Sequence, residues 1–227
     1  MRDAVLFDLD NTLFDVEQYM TGAFADVARY LEAEHSVDRQ QVYADLLDLW
    51  RTETSMYLHL FDDIVAEYDI DANIEHIVAV FNDHEPELEP YEGVPELLNR
   101  LQKTGFTLGL VTDGTARRQR RKLDVLGLQQ AFETVVLTDE LGEAKPSPLP
   151  FNEAARRLNR SGKRCIYIGD NPQVDFAGAK KRDMSTIRLC RGEFQHITSD
   201  SDVDASVEDI EDLYDAITNI SSSCENK

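Results

Sequence analysis

Short apolar runs alternate with helical patterns along most of this chain, and this alternation restricts the fold more than any other feature of the sequence. The apolar runs lie at residues 4–7, 107–111, 134–137, 165–168 and 186–189. Runs of this kind are typical of strands buried on both faces of a parallel sheet. Helical patterns lie between them, at residues 94–103, 115–126 and 151–158. The order β-α-β-α predicts an α/β fold with a doubly wound, Rossmann-like parallel sheet.

Residues 15–90 interrupt this alternation. Apolar side chains recur there at helical spacing, as in Met20 and Phe24, so the segment predicts several amphipathic helices inserted after the first strand. We therefore expect two domains. Residues 1–14 and 91–227 form a Rossmann-like core domain, and residues 15–90 form a helical domain.

The net charge of −21 is unevenly distributed along the chain. Residues 15–90 contain 19 acidic and 3 basic side chains, residues 91–197 contain 13 and 18, and residues 198–227 contain 9 and 1. Two interpretations stay open: a surface adapted to high salt, or a charge far from zero that maintains solubility. The 16 arginines against 7 lysines favour the first interpretation.

The cysteines and the lack of long apolar segments indicate in which cellular compartment the protein is expected. No apolar segment approaches the roughly 18 residues that span a bilayer, and no N-terminal stretch resembles a signal peptide. Cys165, Cys190 and Cys224 show neither disulfide nor metal-binding spacing. We expect a cytoplasmic protein without a membrane partner, with free thiols, the first two of them in strands.

Polar residues follow the strands of the predicted sheet at the points where the strands end. They are Asp8 and Asp10 after the first strand, Thr112, Asp113 and Gly114 after the second, Lys145 beyond the third, and Asp170 and Asp175 after the fourth. Ligands of doubly wound sheets bind beyond these strand ends, so we expect one cleft. Crowded carboxylates require cations, and oxygen ligands favour Mg²⁺, with Lys145 as a second positive charge. The pattern predicts a metal-dependent site for an anion.

The residue types in this cleft suit phosphoryl transfer. The Asp8 carboxylate can attack a phosphorus atom to form an aspartyl-phosphate. Asp10, two positions further along an extended chain, is expected to point the same way, to protonate the leaving oxygen and later to activate water. The groups expected to bind the phosphoryl oxygens and to neutralise their charge, together with Mg²⁺, belong to Asn11, Thr112, Asp113, Gly114 and Lys145.

A basic run at residues 117–122 raises the question of nucleic-acid binding. The run falls on a predicted helix outside the cleft, lacks interleaved aromatic residues and belongs to a strongly anionic chain. We interpret it as a solvated or interface face of the helix and expect no nucleic-acid partner.

Four segments of the chain together resemble a known family. They are DLDNT (8–12), VTDG (111–114), AKPSP (144–148) and GDNPQVDFAGA (169–179). In this order, with a helical insert after the first, they are similar to the four signature motifs of the haloacid dehalogenase-like hydrolase superfamily, first subclass.

This resemblance implies a role for each motif residue and for the insert. Asp8 is the nucleophile, Asp10 the acid/base residue, Thr112 a phosphoryl contact and Lys145 the organising cation. It further implies that Mg²⁺ is held by the Asp8 carboxylate, the Asp10 main-chain carbonyl and Asp170, with Asp175 in support. Residues 15–90 would be the cap domain.

The superfamily also contains mutases, dehalogenases and phosphonate hydrolases, and two features separate these branches. Dehalogenases of the family lack an aspartate at the position of Asp10, and the phosphonoacetaldehyde branch uses a cap lysine, whereas residues 15–90 contain none. We expect a Mg²⁺-dependent phosphatase, a monomer or homodimer, that hydrolyses a small phosphorylated metabolite under an acidic cap. A phosphomutase or dehalogenase of the same fold, or a catalytically weak regulatory or binding module, remain the alternatives.

Overall fold

The computed structural model describes residues 2–198 and 202–222, and the chain divides into two units. One unit is Met1–Asp15 with Glu89–Lys227, and the other is Val16–Leu88. No helix in the described part of the chain has the length and the apolar character that a membrane-spanning segment needs.

The smaller unit, Val16–Leu88, is built from helices, as the amphipathic pattern predicts. They are α1 (Glu17–His35), α2 (Arg39–Glu53), α3 (Leu60–Glu67) and α4 (Ile74–Asp83). The side chains of Asp38 and Asn73 accept backbone N–H groups at the starts of α2 and α4, which satisfies donors that a helix leaves free. Aromatic rings fill the interior, with Phe81 lying 5.7 Å from Phe24 between centroids.

The larger unit contains a parallel sheet. Its strands in the described residues are β1 (Ala4–Phe7), β2 (Thr107–Thr112), β3 (Thr134–Leu137), β4 (Cys165–Gly169), β5 (Ser185–Leu189) and β6 (Ala205–Val207). They are arranged in the order β3-β2-β1-β4-β5-β6, and every neighbouring pair is parallel. The first five strands lie within one residue of their predicted ends, so the doubly wound sheet is confirmed.

Strand β6 is absent from the sequence prediction. Its three residues are too few to show a pattern, and pairing with β5 places it at the edge of the sheet, where Ala205 lies opposite Ile187. Strand β6 is therefore recognised by its pairing with β5, and its own residues do not predict it.

The sheet reverses its winding direction at β1. The chain runs from β1 to β2 and β3 on one side and then crosses to β4 on the other side of β1. Phe7 of β1 pairs with Ile168 of β4, and the Asp8 N–H donates to the Ile168 carbonyl at 2.8 Å. Asp8 and Asp170 therefore follow two adjacent strands at the same edge, which is where doubly wound sheets bind ligands.

Helices cover both faces of the sheet. They are α5 (Val94–Lys103), α6 (Ala116–Val125), α7 (Thr138–Leu141), α8 (Pro148–Arg157), α9 (Phe176–Lys180) and α10 (Ile210–Ser222). Phe151 of α8 packs edge-to-face on Tyr167 of β4, with centroids 4.8 Å apart. The fully buried Tyr167 ring belongs to the core, while its hydroxyl reaches the polar edge of the sheet.

The cysteines match the sequence prediction only in part. Cys165 lies in β4 and Cys190 directly after β5, and both carry free thiols. The placement of Cys190 inside a strand was wrong by one residue, because β5 ends at Leu189. Cys224 lies outside the described residues.

Candidate active site

Lys145 lies between two buried carboxylates at the end of the sheet. Its Nζ atom is 2.7 Å from Asp8 Oδ1 and 2.7 Å from Asp175 Oδ1, and its side chain is only 4% exposed. Burial by itself lowers the pKa of a lysine, but the charges of Asp175 and Asp8 outweigh it and hold the pKa of Lys145 well above its usual value. Lys145 is therefore a fixed cation beside Asp8.

Asp175 is held in place by three donors. Its Oδ1 atom accepts from Lys145 and from the Tyr167 hydroxyl at 3.0 Å, and its Oδ2 atom accepts from the backbone N–H of Asn171 at 2.9 Å. Gly169 makes room for this arrangement, since a Cβ atom there would lie 2.3 Å from Asp175 Oδ2. Asp175 thus ties Lys145 to the loop that carries Asp170.

A cluster of carboxylates fits a divalent cation. Oxygen atoms of Asp8, Asp170 and Asp175 lie within 4.8 Å of one another, and Asp170 Oδ2 is buried without a hydrogen-bond partner among the described residues. Burial raises the pKa of Asp8 to about 8, and burial together with the charges of Asp175 and Asp8 raises the pKa of Asp170 well above its usual value. The raised pKa values show that the three carboxylates need more positive charge than Lys145 alone supplies, and their all-oxygen donor set suits a hard cation such as Mg²⁺.

Asp10 contacts a different element from Asp8. Its Oδ1 atom accepts from Lys122 Nζ at 2.6 Å and its Oδ2 atom from Gln119 Nε2 at 3.0 Å. Partial burial would raise the pKa of Asp10, but the adjacent Lys122 cation lowers it below its usual value. The expectation of an extended chain from Asp8 to Asp10 was wrong, because the chain bends at Leu9, and the Asp10 carboxylate contacts α6.

The interpretation of residues 117–122 as a solvated or interface face outside the cleft was therefore wrong for two of these residues. Arg117 and Arg120 are exposed, as expected, but Gln119 and Lys122 are buried and contact Asp10. Gln119 and Lys122 are three residues apart, so they lie on one face of α6, and this helix begins four residues after β2. This spacing so close to a strand end is the sequence feature that could have indicated their place near the site.

The remaining predicted residues lie around these contacts. Thr112 Oγ1 accepts from Gln119 Nε2 at 2.7 Å, and Asp113 Oδ1 accepts from the backbone N–H of Lys145 at 3.2 Å. Gly114 follows with φ 105°, a conformation that favours glycine. The backbone after β2 is thus joined both to α6 and to the segment that carries Lys145.

Asn11 lies against the turn that follows β5. Its Nδ2 atom is 3.4 Å from Glu193 Oε1, and a Cβ atom on Gly192, which has φ 65°, would lie 2.5 Å from the Asn11 Cγ atom. Glu193 has no motif around it and is absent from the residues predicted from the sequence.

Arg188 is another buried residue that the sequence did not predict to lie near the site. It lies in β5 and donates to the backbone carbonyls of Asp170 at 3.2 Å, Phe194 at 2.7 Å and Ile197 at 2.6 Å. Because the acceptors are carbonyls of the two segments that follow β4 and β5, Arg188 fixes the backbone that carries Asp170. Its position within an apolar strand gave no indication of this role.

Comparison with known proteins identifies a matching family and similar sequences. The family model described as haloacid dehalogenase-like hydrolase matches residues 5–189. The chain is 34% identical over 211 residues to a protein of Methanopyrus kandleri named glyceraldehyde 3-phosphate phosphatase, covering 90% of this chain and 91% of that protein. It is 30% identical over 183 residues to pyrophosphatase PpaX of Bacillus velezensis, covering 77% of each chain.

A solved structure shares the fold. The HAD phosphatase of Thermococcus onnurineus superposes with a TM-score of 0.71 at 23% identity, covering 96% of this chain and 98% of that one. The family match includes β1 to β5 and with them the cluster around Lys145. This chain belongs to the haloacid dehalogenase-like hydrolase family.

Proposed function

We propose that this chain is a Mg²⁺-dependent phosphatase that hydrolyses a small phosphomonoester through a phosphoryl group carried on Asp8. The observation that carries the proposal is the buried contact of Lys145 with both Asp8 and Asp175, beside Asp170, at the switch point of the sheet. The names of two relatives, glyceraldehyde 3-phosphate phosphatase and pyrophosphatase PpaX, support phosphate hydrolysis by a member of this family.

The first half of the reaction transfers the phosphoryl group to the protein. An Asp8 carboxylate oxygen attacks phosphorus, and the bond between phosphorus and the leaving oxygen breaks. The negative charge of the bound phosphomonoester favours the protonated form of Asp10, which gives its proton to that leaving oxygen, so that a neutral alcohol departs. Lys145 holds Asp8 in position by its contact at 2.7 Å and offsets the negative charge of the phosphoryl oxygens.

The second half returns Asp8 to its starting state. Asp10, now a carboxylate, takes a proton from water, and the water oxygen attacks phosphorus. The bond between phosphorus and the Asp8 oxygen breaks and inorganic phosphate leaves. Asp10 is then protonated again and ready for the next turnover, so protons balance over the cycle.

The metal would be held by the Asp8 carboxylate, Asp170 and the main-chain carbonyl of Asp10. When bound, Mg²⁺ would supply Lewis-acid stabilisation of the phosphoryl oxygens and would offset the mutual repulsion of the crowded carboxylates. Asp175 already accepts three hydrogen bonds, and we assign it a supporting role through Lys145 and Asn171.

The substrate we propose is a small monophosphate, and a triose phosphate is the first to test because of the Methanopyrus kandleri relative. Residues 15–90, the proposed cap, carry 19 acidic against 3 basic side chains, which disfavours ligands with additional negative charge. Rates for matched mono- and bisphosphorylated sugars at low and high ionic strength test this. A preference for the bisphosphate at low salt, or faster hydrolysis of inorganic pyrophosphate, contradicts the monophosphate assignment.

We also propose that the protein acts in the cytoplasm as a monomer or homodimer, without nucleic-acid or membrane partners. Its net charge of −21 opposes binding to nucleic acid and to anionic membrane surfaces.

Replacement of the nucleophile tests the reaction. Asp8→Asn keeps the shape of the side chain but its amide cannot form the acyl phosphate, so we expect no turnover of an aryl phosphate with Mg²⁺ and an unchanged circular dichroism spectrum. Asp124→Asn, an exposed change on α6, is the matched control and should keep full activity. Substantial Mg²⁺-dependent hydrolysis by Asp8→Asn refutes the proposed mechanism.

Calorimetric titration with Mg²⁺ tests the ligand assignment. Asp170→Ala should lose most of the Mg²⁺ affinity, because it removes a ligand. Asp10→Asn should keep that affinity, because its proposed contact is a backbone carbonyl, while its turnover falls by about 10²- to 10⁴-fold through loss of proton transfer. Equal losses of affinity in the two variants contradict the assignment.

A further inference from the structure

Helix α6 buries two polar side chains on the face that meets the active site. Gln119 is 0% exposed and Lys122 is 2% exposed, although the neighbouring Arg117 and Arg120 lie in solvent. A lysine amine is removed from water only when other groups satisfy it, since burial of an unpaired charge is strongly unfavourable. Both side chains contact the carboxylate of Asp10.

The two residues hold both oxygens of that carboxylate. Lys122 Nζ donates to Asp10 Oδ1 at 2.6 Å, and Gln119 Nε2 donates to Asp10 Oδ2 at 3.0 Å. Gln119 Nε2 also donates to Thr112 Oγ1 at 2.7 Å, which joins the helix to the end of β2. Donors on both oxygens determine the plane and direction of the carboxylate, whereas one donor leaves it free to rotate.

We infer that Gln119 and Lys122 are positioning residues for proton transfer by Asp10. The inference rests on the proposed function, in which Asp10 protonates the leaving oxygen and then deprotonates water. Between these two transfers Asp10 is a carboxylate, and that form accepts both donors of α6. Gln119 and Lys122 act through Asp10 and not through contact with the substrate.

Leaving groups of different basicity separate this role from a purely structural one. An aryl phosphate releases a stable phenolate that needs no proton, whereas an alkyl phosphate releases an alkoxide that does. The ratio kcat/KM reports the first transfer, which depends on the leaving group. In the second transfer, water attacks the phosphorylated protein with Asp10 as the base, whichever substrate was used. This step affects kcat but not kcat/KM, because it follows release of the leaving group.

The variants Lys122→Met and Gln119→Leu remove the donors while nearly keeping side-chain size. We expect kcat/KM for an alkyl phosphate to fall by about 10- to 100-fold, as for a misplaced catalytic group, and kcat/KM for p-nitrophenyl phosphate to stay within about 3-fold. For p-nitrophenyl phosphate, kcat and KM should fall together. Arg117→Met, which removes an exposed cation from the same helix, is the control and should change neither ratio.

A double variant tests whether Lys122 acts through Asp10. In the Asp10→Asn background, Lys122→Met should cause no further loss of kcat/KM, because the two changes remove one function. This double variant also removes both members of the ion pair. If Lys122→Met alone does not fold, Gln119→Leu, which removes no charge, carries the same expectation.

Two results overturn the inference. One is an equal fall of kcat/KM for alkyl and aryl phosphates in either single variant, and the other is an additive loss in the Asp10→Asn background. Both require a wild-type protein that hydrolyses the substrates. A wild type inactive toward every phosphomonoester, or an active Asp8→Asn variant, refutes the proposed function instead, so the two failures are distinguishable.

Discussion

Lys145 shows how a single side chain organises the active site. Its amine contacts Asp8 and Asp175, which belong to segments 167 residues apart in the chain, and Tyr167 adds its hydroxyl at 3.3 Å. Each of these groups is buried, so water replaces a lost partner only poorly. Removal of the cation leaves two carboxylates facing each other in a poorly solvated site.

We expect Lys145→Met to destabilise the metal-free protein by about 3–5 kcal/mol, the usual effect of removing one partner from a buried ion pair. Urea unfolding at neutral pH measures the change. Lys103→Met, an exposed lysine on α5, is the matched control and should change the stability by no more than about 0.5 kcal/mol. Equal stability of the two variants would show that Asp8 and Asp175 do not depend on the Lys145 charge.

Helix α8 connects the core to the active site and is stabilised at both ends. Ser147 caps its start by accepting the backbone N–H of Leu149, and Pro148 occupies the first helical position. Near its end, Arg156 and Arg157 each donate to Glu153 at 2.8 Å. Phe151, in the middle of the helix, packs against the ring of Tyr167. A well-ordered α8 therefore helps to hold the Tyr167 hydroxyl in its position.

The charges on α8 give the helix a pH dependence with a definite sign. Hydrogen bonds from Arg156 and Arg157 lower the pKa of Glu153 from 4.5 to about 2. As the pH falls, Glu153 binds a proton in the unfolded chain before it does so in the folded chain. Its contribution to stability is therefore complete above about pH 4.5 and is lost as the pH falls toward 2. The melting temperature of Glu153→Gln should lie below that of the wild type at neutral pH and approach it at acidic pH.

The control for this experiment is the same change in a chain that carries Arg156→Gln and Arg157→Gln. Without its two partners, Glu153→Gln should have a small effect at every pH. A difference between Glu153→Gln and the wild type that persists unchanged down to about pH 2 would contradict the ion-pair explanation.

The entire chain carries a net charge of −21, and residues 15–90 and 198–227 contribute more than this excess, because residues 91–197 are net basic. Mutual repulsion of surface carboxylates opposes folding and is screened by salt, since the Debye length falls to about 10 Å at 0.1 M and about 3 Å at 1 M. Some of the carboxylates are paired, as in the contact of Lys180 with Asp204. The remaining excess makes the folded state sensitive to ionic strength.

We expect the melting temperature to rise continuously as KCl is increased from low concentration to the molar range, as in a surface adapted to high salt. Differential scanning calorimetry over that range measures the trend, and choline chloride at equal ionic strength separates screening from a specific effect of potassium. A flat or falling melting temperature would favour the other interpretation, that the acidic surface serves solubility alone.

The sequence by itself determined the order of strands and helices and the residues that follow each strand. These features depend on local patterns: buried parallel strands are continuously apolar, and the polar residues after β1, β2 and β4 stand at strand ends whatever the details of packing. Convergence of Asp8, Lys145 and Asp170 was predictable for the same reason, because parallel strands end at one edge. Their catalytic and metal-binding roles stay predictions.

Only the tertiary structure decided which side chains meet. The direction of α6 across the sheet brings Gln119 and Lys122 to Asp10, more than 100 residues earlier in the chain, and no local pattern encodes that direction. Arg188 lies within an apolar strand, and only the fold brings the carbonyls of Asp170, Phe194 and Ile197 to its guanidinium. Strand β6 likewise exists through its pairing with β5. Contacts of this kind depend on distances between elements, and a sequence specifies those distances only through the packing of the whole core.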